Sequence, residues 1–501
     1  MVKPAALFTD GAVLCRNREI RIFGKADDGA AVTVTLTDAG GALLAESECT
    51  GCDGRFLALL KPQEAQTGCR LVIAAGTETF AAEDVSIGEV FLAGGQSNME
   101  LELRSADEGK EIIRTHNDPQ LRFFNVPRIA VEGPEHRKAN DAARWHAAAP
   151  GQGGENSAVA SFFAAKLREK NPEIPVGIIG CYWGGTSVTC WIGEEALRTT
   201  AEGARYLDEY AALCAGKTME AWQREDKRFW ETMDLWNKTV AEYQQAHPDA
   251  PWKEVERVCG PAPWNPPPGP GSPFRPAGLA VTMVREVIPA ALTGILYYQG
   301  EQDAGATEQY DTLMILLIRR WRALFRDAEL PFLFVQLPMW VDWGAEDTRS
   351  WAGLRLAQAA VRDTVRNTGM VCLLDQGEYG VIHPTNKRPV GERLAELAGA
   401  MLYGSGQVSP RAAGKYTEGN ILTVALSAPV AVRGGGEAEL LEIAGETGEY
   451  VPAEAEIRGR ELRLRADGVK RPVRARYAWT DYSDRVNLFG ENGLPLEPFD
   501  L

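Results

Sequence analysis

A serine that follows a pair of glycines is the first residue in this sequence suited to catalysis. The segment AGGQSNME, residues 93–100, places Ser97 directly after an apolar run that indicates a buried strand. Glycines allow a sharp turn, and the backbone N–H groups that begin the next segment then point at whatever the hydroxyl attacks. Ser97 is therefore a candidate nucleophile beside part of an oxyanion hole. A helix N-cap is the alternative.

Two further strand ends carry groups that could stabilise an oxyanion. The segment GCYWGGTSVTCW makes Gly185 a candidate backbone donor, with a simple tight turn as the alternative. In YYQGEQDAG, the Gln299 amide could donate to the oxyanion, and Glu301 could hold that amide or a loop in place. A metal site made by Glu301 and Asp303 is the competing interpretation.

A histidine that could act as general base follows the last of these strands. His383 stands on a loop after the strand LLD, where Pro384 stiffens the chain and an amphipathic helix follows. An imidazole there could take the serine proton and return it to the leaving group. The alternative is a surface histidine with no role. The other four histidines lie in polar loops or helices without a matching strand: His116, His136, His146 and His247.

The elements that position these residues form three regions. Residues 1–88 show short alternating segments with Asp-Gly and Gly-Gly turns, which predict an antiparallel β domain. Residues 89–404 alternate apolar runs with helical stretches, which predicts a doubly wound parallel sheet with helices on both faces. Residues 405–501 return to antiparallel β structure. Because ligands bind at the carboxyl ends of such parallel strands, the four polar strand ends should meet at one edge.

A polar helical insertion interrupts the α/β region over residues 193–262, and a Pro/Gly-rich loop follows over residues 260–276. Apolar residues at helical spacing in the insertion favour packing of a helical hairpin, with a wall for sugar stacking as the alternative: Trp222, Phe229, Trp230, Met233 and Trp236. Four tryptophans near strand ends or this loop could either stack on a sugar or pack in the core: Trp183, Trp264, Trp340 and Trp343.

Composition excludes several classes of protein. The 501 residues carry a net charge of −16, which repels nucleic acid and anionic lipid. No apolar run approaches the ~18 residues of a membrane helix, and the first residues lack the apolar segment of a signal peptide, so we expect a cytoplasmic protein. Nine scattered cysteines do not indicate a disulfide framework. Cys49 and Cys52 have metal-site spacing, but a hairpin turn explains them better.

Three segments together carry a family resemblance. AGGQSNME resembles the nucleophile block of the SGNH (GDSL-like) hydrolase superfamily, and YYQGEQDA resembles its Gln-Gly-Glu block. IHPTNKRPVGERLA is similar to the block around the histidine of sialate O-acetylesterases and related carbohydrate acetylesterases. The blocks occur in the family's order, and the β region before the first of them fits the family's layout.

The resemblance implies an SGNH-type α/β/α catalytic domain with flanking antiparallel β domains. It implies a Ser/His acetylesterase that acts on a small acetylated sugar without cofactor or metal. Ser97 would be the nucleophile and His383 the base, while the N–H groups of Ser97 and Gly185 and the Gln299 side chain would form the oxyanion hole. The leading substrate would be sialic acid. Acetylated xylan or mannan oligosaccharides and a non-catalytic sugar-binding protein are the alternatives, and the oligomeric state is open.

The sequence departs from the family at one position. The superfamily commonly has aspartate three residues before the histidine, whereas this chain has Gly380 there. Asp375, Glu378 or a backbone carbonyl would then orient the imidazole. A missing carboxylate need not abolish activity, because the oxyanion hole and substrate positioning still contribute.

Overall fold

The computed structural model describes residues 1–247, 250 and 252–501. The first part of the chain is antiparallel β structure that leads directly into a central sheet. Its strands are β1 Val2–Pro4, β2 Val13–Cys15, β3 Ile20–Ala26, β4 Ala31–Thr37, β5 Leu43–Thr50, β6 Arg55–Leu60, β7 Gln66–Ala75 and β8 Glu78–Gly95. Strand β4 alternates valine and leucine with threonine, and its apolar residues are the buried ones.

Strand β8 joins this β region to the rest of the molecule. Its first half pairs antiparallel with β7, and its last residues run parallel with strands of the central sheet. Because β8 is continuous from Glu78 to Gly95, the boundary predicted at residue 88 falls inside a single strand. No break between elements marks a domain boundary at residue 88, and the division into three domains stays a prediction.

The central sheet is mixed, with one antiparallel strand at its edge. Its further strands are β9 Asp118–Asn125, β10 His146–Ala148, β11 Val176–Tyr182, β12 Gly294–Tyr298, β13 Phe332–Val335 and β14 Thr368–Val371. They follow the order β10-β9-β11-β8-β12-β13-β14, in which only β10 runs antiparallel to its neighbour. Every residue of β11 is buried, as expected for a strand covered on both faces. The direction of strand addition reverses at β8, so its carboxyl end is a switch point where ligands bind.

Helices cover the sheet and form the insertion. They are α1 Ser97–Glu100, α2 Gly109–Thr115, α3 Pro134–Ala142, α4 Ala158–Lys170, α5 Glu194–Leu197, α6 Ala201–Leu213, α7 Met219–Ala246, α8 Trp252–Cys259, α9 Arg285–Val287, α10 Thr307–Leu324, α11 Ser350–Thr364 and α12 Arg388–Leu402. Helix α4 packs against α12, and α10 packs against α11. The predicted insertion corresponds to α5–α8, and residues 248, 249 and 251 within it lie outside the described residues.

The last part of the chain forms antiparallel sheets around a second core. Its strands are β15 Ala412–Glu418, β16 Ile421–Leu426, β17 Val430–Val432, β18 Leu441–Ala444, β19 Tyr450–Pro452, β20 Glu454–Arg458, β21 Glu461–Arg465, β22 Arg474–Tyr477, β23 Leu488–Gly490 and β24 Phe499–Asp500. Met339, Cys372 and Leu374 from the α/β region belong to the same apolar core. The fully buried Arg355 of α11 also donates hydrogen bonds to main-chain carbonyls of residues 478–481. Apolar packing and buried hydrogen bonds therefore join the two regions.

Two expectations drawn from composition concern disulfide bonds and membrane-spanning helices. All nine cysteines are free, and Cys52 lies in a turn that is closed by a backbone hydrogen bond to Arg55. Across the described residues, no helix combines the length and apolar character that crossing a bilayer requires. The cytoplasmic location stays a prediction.

The contact between α4 and α12 predicts a stability effect at Gly391. A Cβ atom there would lie 2.5 Å from Phe162 Cβ and 2.6 Å from the Val159 carbonyl oxygen, so Gly391→Ala should force the helices apart. We expect a loss of about 1–3 kcal/mol in the free energy of unfolding, measured by denaturant titration. Gly193→Ala is the control, because nothing lies within 4 Å of that Cβ. A Gly391→Ala variant as stable as the native protein would contradict the prediction.

Candidate active site

The structure brings the predicted nucleophile and base together at the edge of the central sheet. Ser97 begins α1 immediately after β8, and His383 lies on the loop between β14 and α12. The Nε2 atom of His383 lies 2.8 Å from the Ser97 Oγ atom, although 286 positions separate the two residues in the chain. This is the distance that proton transfer between a nucleophile and its base requires.

The surroundings of His383 keep its imidazole neutral. One side of the residue is open to solvent. Protein atoms that crowd the rest of the ring, and secondarily the positive charge of Lys387, lower the pKa of His383 from 6.5 to about 4. The neutral ring can accept a proton at Nε2 near pH 7. The residue therefore has the protonation state of a general base.

Two backbone N–H groups lie where an oxyanion hole would form. A Cβ atom at Gly184 would lie 3.2 Å from the Ser97 Cβ, so the glycine turn after β11 packs against the serine. The Gly184 N–H itself donates to the Glu100 carboxylate. The N–H groups of Ser97 and Gly185 donate to no acceptor within the described residues. Both are available to a bound carbonyl oxygen, and their role in the oxyanion hole stays a prediction.

The structure corrects the prediction for Gln299. Its Nε2 atom donates to Asp303 Oδ2 at 2.5 Å, to Gln96 Oε1 at 3.1 Å and to the Thr186 carbonyl at 3.2 Å. The side chain is buried, and its two amide hydrogens are already shared among these acceptors. Gln299 therefore fixes the ends of neighbouring strands and has no hydrogen left for an oxyanion.

A buried amide connects the serine turn to the histidine loop. Asn98 is 1% exposed, and its Nδ2 atom donates to Glu301 Oε1 at 2.6 Å and to the Ile382 carbonyl at 3.0 Å. Its Oδ1 atom accepts from Lys387 Nζ at 2.5 Å. Glu301, which the sequence suggested as a support for Gln299, supports Asn98 instead. The residue after the candidate nucleophile Ser97 thus holds the residue before the candidate base His383.

The charges around Asn98 are buried as well. Lys387 is 2% exposed, and burial lowers its pKa to about 8 against the opposing influence of Glu301 and Glu378. Burial likewise raises the pKa of Glu301, which the hydrogen bond from Asn98 opposes. At neutral pH Lys387 is still protonated, so a positive charge remains near His383. This charge favours the neutral imidazole.

None of the three predicted partners orients His383 from its other nitrogen. Asp375 is bound by both guanidinium nitrogens of Arg393, each at 2.7 Å. Neither Glu378 nor a backbone carbonyl within the described residues accepts a hydrogen bond from Nδ1. Gly380 stands three residues before His383, where a Cβ atom would overlap the indole of Trp343. Ser97 and His383 therefore form a dyad of candidate residues, with no third group bonded to Nδ1 among the described residues.

The four candidate tryptophans have different surroundings. Trp340 packs on Trp351 with ring centroids 4.7 Å apart, and Trp183 packs partly buried against the main core. Trp343 lies edge-on to Tyr379 beside the histidine loop. Only Trp264 of the four is exposed, at 44%. In the part of the chain that the structure describes, no group of three or more His, Cys, Asp or Glu residues is placed to hold a metal ion.

Sequence reasoning gave no role to Asn98 or Lys387. Asn98 is adjacent to the nucleophile, and Lys387 follows His383 by four positions in the block that carries the resemblance. Their spacing was visible, but the hydrogen bond that joins them depends on the approach of two distant loops. Position in the block was the only available signal.

Comparison with known proteins shows similarity to carbohydrate esterases. Residues 275–398 match the carbohydrate esterase family described as sialic acid-specific acetylesterase. The sialate O-acetylesterases of Rattus norvegicus and Mus musculus are 23% and 24% identical, over 76% of this chain and 70% of theirs. A carbohydrate acetylesterase from Xanthomonas citri superposes with a TM-score of 0.77 at 28% identity, covering 100% of this chain and 99% of the other. These similarities indicate that the chain is a carboxylic ester hydrolase.

The similarity to carbohydrate esterases indicates that the protein carrying the dyad is an enzyme. The matched segment contains His383 and Lys387, whereas Ser97 lies before it. Because the esterase is a hydrolase, the alternative of a non-catalytic sugar-binding protein is set aside. The fold of the esterase is a mixed α/β sheet with flanking antiparallel sheets.

The charge of Lys387 predicts a shift in the pH dependence of catalysis. Activity needs the neutral imidazole, and Lys387 lowers the pKa of His383. In Lys387→Met that pKa should rise, so the acid limb of kcat/KM should move to higher pH by about one unit. The limb is measured with an uncharged acetyl ester.

The controls separate the charge effect from loss of structure. Lys110→Met removes an exposed lysine that lies in α2, so its pH profile should match that of the native esterase. Thermal unfolding checks that Lys387→Met is folded. An acid limb that stays in place or moves to lower pH would contradict the prediction.

Proposed function

We propose that the esterase removes O-acetyl groups from carbohydrate by a Ser/His mechanism with an acyl-enzyme intermediate. The observation that supports this best is the 2.8 Å approach of His383 Nε2 to Ser97 Oγ at the carboxyl end of the central sheet. The location of the serine after β8 also supports an SGNH-type catalytic domain.

In the first half of the reaction, Ser97 Oγ attacks the acetyl carbonyl carbon while His383 Nε2 takes the hydroxyl proton. The carbonyl oxygen becomes negative and accepts hydrogen bonds from the N–H groups of Ser97 and Gly185. When the intermediate collapses, the bond to the sugar oxygen breaks, and His383 returns its proton to that oxygen. The sugar leaves, and the acetyl group stays on Ser97.

In the second half, water replaces the sugar. His383 takes a proton from the water as its oxygen attacks the acetyl-serine carbonyl. Collapse of this intermediate breaks the bond to Ser97 Oγ, which recovers its proton from His383, and acetic acid leaves as acetate at neutral pH. The same two donors stabilise both intermediates.

The mechanism needs no third catalytic residue because the histidine loop is held in another way. In trypsin-like triads, the carboxylate orients the imidazole and stabilises its charged form. Here the Asn98 amide fixes the Ile382 carbonyl, and Pro384 follows the histidine. Orientation is thus supplied through the main chain, whereas charge stabilisation from a carboxylate is absent.

Sialic acid is the leading substrate in this proposal. The family description names sialic acid-specific acetylesterase, and the rodent relatives are sialate O-acetylesterases. Acetylated xylan or mannan oligosaccharides are the second candidates, since the Xanthomonas citri protein is described as a carbohydrate acetylesterase.

Substitution of either member of the dyad tests the mechanism. Ser97→Ala and His383→Ala should each lower kcat for acetate release by about 10³-fold or more, because nucleophile and base act as a unit. Ser105→Ala, a nearby exposed serine, should leave kcat unchanged. Circular dichroism checks the fold of each variant. Acetate release by Ser97→Ala at the native rate would exclude this serine as nucleophile.

A panel of acetylated sugars tests the substrate. Acetate release is compared between O-acetylated N-acetylneuraminic acid and acetylated xylo- and manno-oligosaccharides at equal ester concentration. We expect the largest kcat/KM for the sialic acid. A higher value for a neutral oligosaccharide would assign the second candidate class instead.

A further inference from the structure

The proline-rich loop after α8 is held by side chains of the helical insertion. Proline has no N–H to donate, so the loop cannot satisfy its carbonyls through regular backbone structure. Polar side chains of α6, α7 and the turn between them reach these carbonyls instead. The contacts are Trp236 Nε1 to Gly260 O at 2.9 Å, Trp222 Nε1 to Pro267 O at 3.2 Å, Lys217 Nζ to Pro268 O at 2.9 Å and Tyr210 Oη to Gly269 O at 3.1 Å.

Close packing fixes the same loop against α7. Trp222 is only 7% exposed, and a Cβ atom at either Gly269 or Gly271 would overlap its indole. The Gly269 N–H also donates to Tyr210 Oη at 3.0 Å. The loop therefore has a defined position although it contains no helix or strand.

This position places Trp264 beside the candidate oxyanion hole. A Cβ atom at Gly185 would lie 2.7 Å from Trp264 Cζ2, and the neighbouring Gly184 packs against Ser97. Phe274 and Phe229 contact the indole edge-on, with centroids at 5.8 Å and 6.4 Å and interplanar angles of 78° and 67°.

The exposure of Trp264 distinguishes a binding role from core packing. The loop anchor Trp222 is buried, whereas Trp264 remains 44% exposed despite its aromatic neighbours. Exposing so large an apolar ring to water is unfavourable. Several hydrogen bonds from the insertion nevertheless hold the loop that carries Trp264 in this position. A ring supported at its edges and open to solvent next to a reactive serine is suited to a ligand with an apolar face.

We infer that Trp264 is a stacking platform for the pyranose ring of the acetylated sugar, and that the helical insertion is the scaffold that positions it. A pyranose presents C–H groups on its faces and hydroxyls at its rim. The indole can cover the C–H face while the hydroxyls stay hydrated. This inference rests on the proposed function, and it assigns to the insertion a part in substrate binding.

The first experiment compares two acetyl esters in the intact protein. O-acetylated N-acetylneuraminic acid carries a ring, whereas ethyl acetate has none. Trp264→Ala should lower kcat/KM for the sugar roughly tenfold, the effect of losing one aromatic stacking contact, and should change kcat/KM for ethyl acetate less than twofold. Trp264→Phe should lose less, because it keeps an aromatic face.

Matched variants test the scaffold and the background. Tyr210→Phe removes the hydroxyl that bonds Gly269, so it should lower kcat/KM for the sugar in the same direction by a smaller factor. Tyr416→Ala removes an aromatic ring of similar exposure, 43%, from the C-terminal β region. It should leave kcat/KM unchanged for both substrates.

A binding measurement separates this inference from the catalytic proposal. Calorimetric titration of O-acetylated N-acetylneuraminic acid into Ser97→Ala, with acetylated xylobiose as a neutral sugar, compares that variant with Ser97→Ala/Trp264→Ala. Weaker binding of the double variant supports the platform whether or not the native protein releases acetate. Equal binding, or an equal loss of kcat/KM for ethyl acetate and sugar in Trp264→Ala, would overturn it.

Discussion

The hydrogen bond from Asn98 to the Ile382 carbonyl is the contact on which the active site depends. It joins a turn that begins at the end of β8 to a loop that precedes α12, and it lies one residue from each member of the dyad. Its strength comes from burial, since a hydrogen bond in a low-dielectric interior is costly to break. Glu301 accepts the other amide hydrogen and Lys387 donates to the amide oxygen, so Asn98 is fixed in one orientation. Beside this arrangement, His383 Nε2 lies 2.8 Å from Ser97 Oγ.

The same arrangement leaves His383 paired with Ser97 and without a carboxylate partner among the residues that the structure describes. A carboxylate beside the imidazole would raise the pKa of His383 and stabilise its protonated form, whereas Lys387 has the opposite effect. The base is therefore weaker but stays neutral at lower pH. The position of the missing aspartate is closed by the Trp343 indole at Gly380, so this loop could not accept a side chain there without moving. The packing of Trp343 against Gly380 and the absence of a carboxylate at that position are therefore linked.

The candidate catalytic residues and the proposed sugar-binding tryptophan come from different parts of the chain. The ends of the parallel strands position the serine, the histidine loop and the two N–H groups proposed as oxyanion donors. The insertion α5–α8 adds the proline-rich loop and brings Trp264 to the edge of that site. Because the insertion is connected to the sheet through loops, its surface can differ between relatives without disturbing the dyad.

The sequence by itself determined the α/β region and predicted the edge at which Ser97 and His383 meet. Continuous apolar runs such as β11 must be buried on both faces, and parallel strands bring their carboxyl ends together. Only the tertiary structure decided which hydrogen bonds the side-chain amides of Gln299 and Asn98 make. Gln299 and Asn98 carry the same functional group near the same edge, yet one is occupied by Asp303 and the other holds the histidine loop. The sequence also did not reveal that β8 continues through residue 88, or that Trp343 excludes a side chain at Gly380. Both features depend on contacts between distant segments. Local pattern fixes elements and their faces, whereas hydrogen-bond partners depend on orientations that only the packed chain defines.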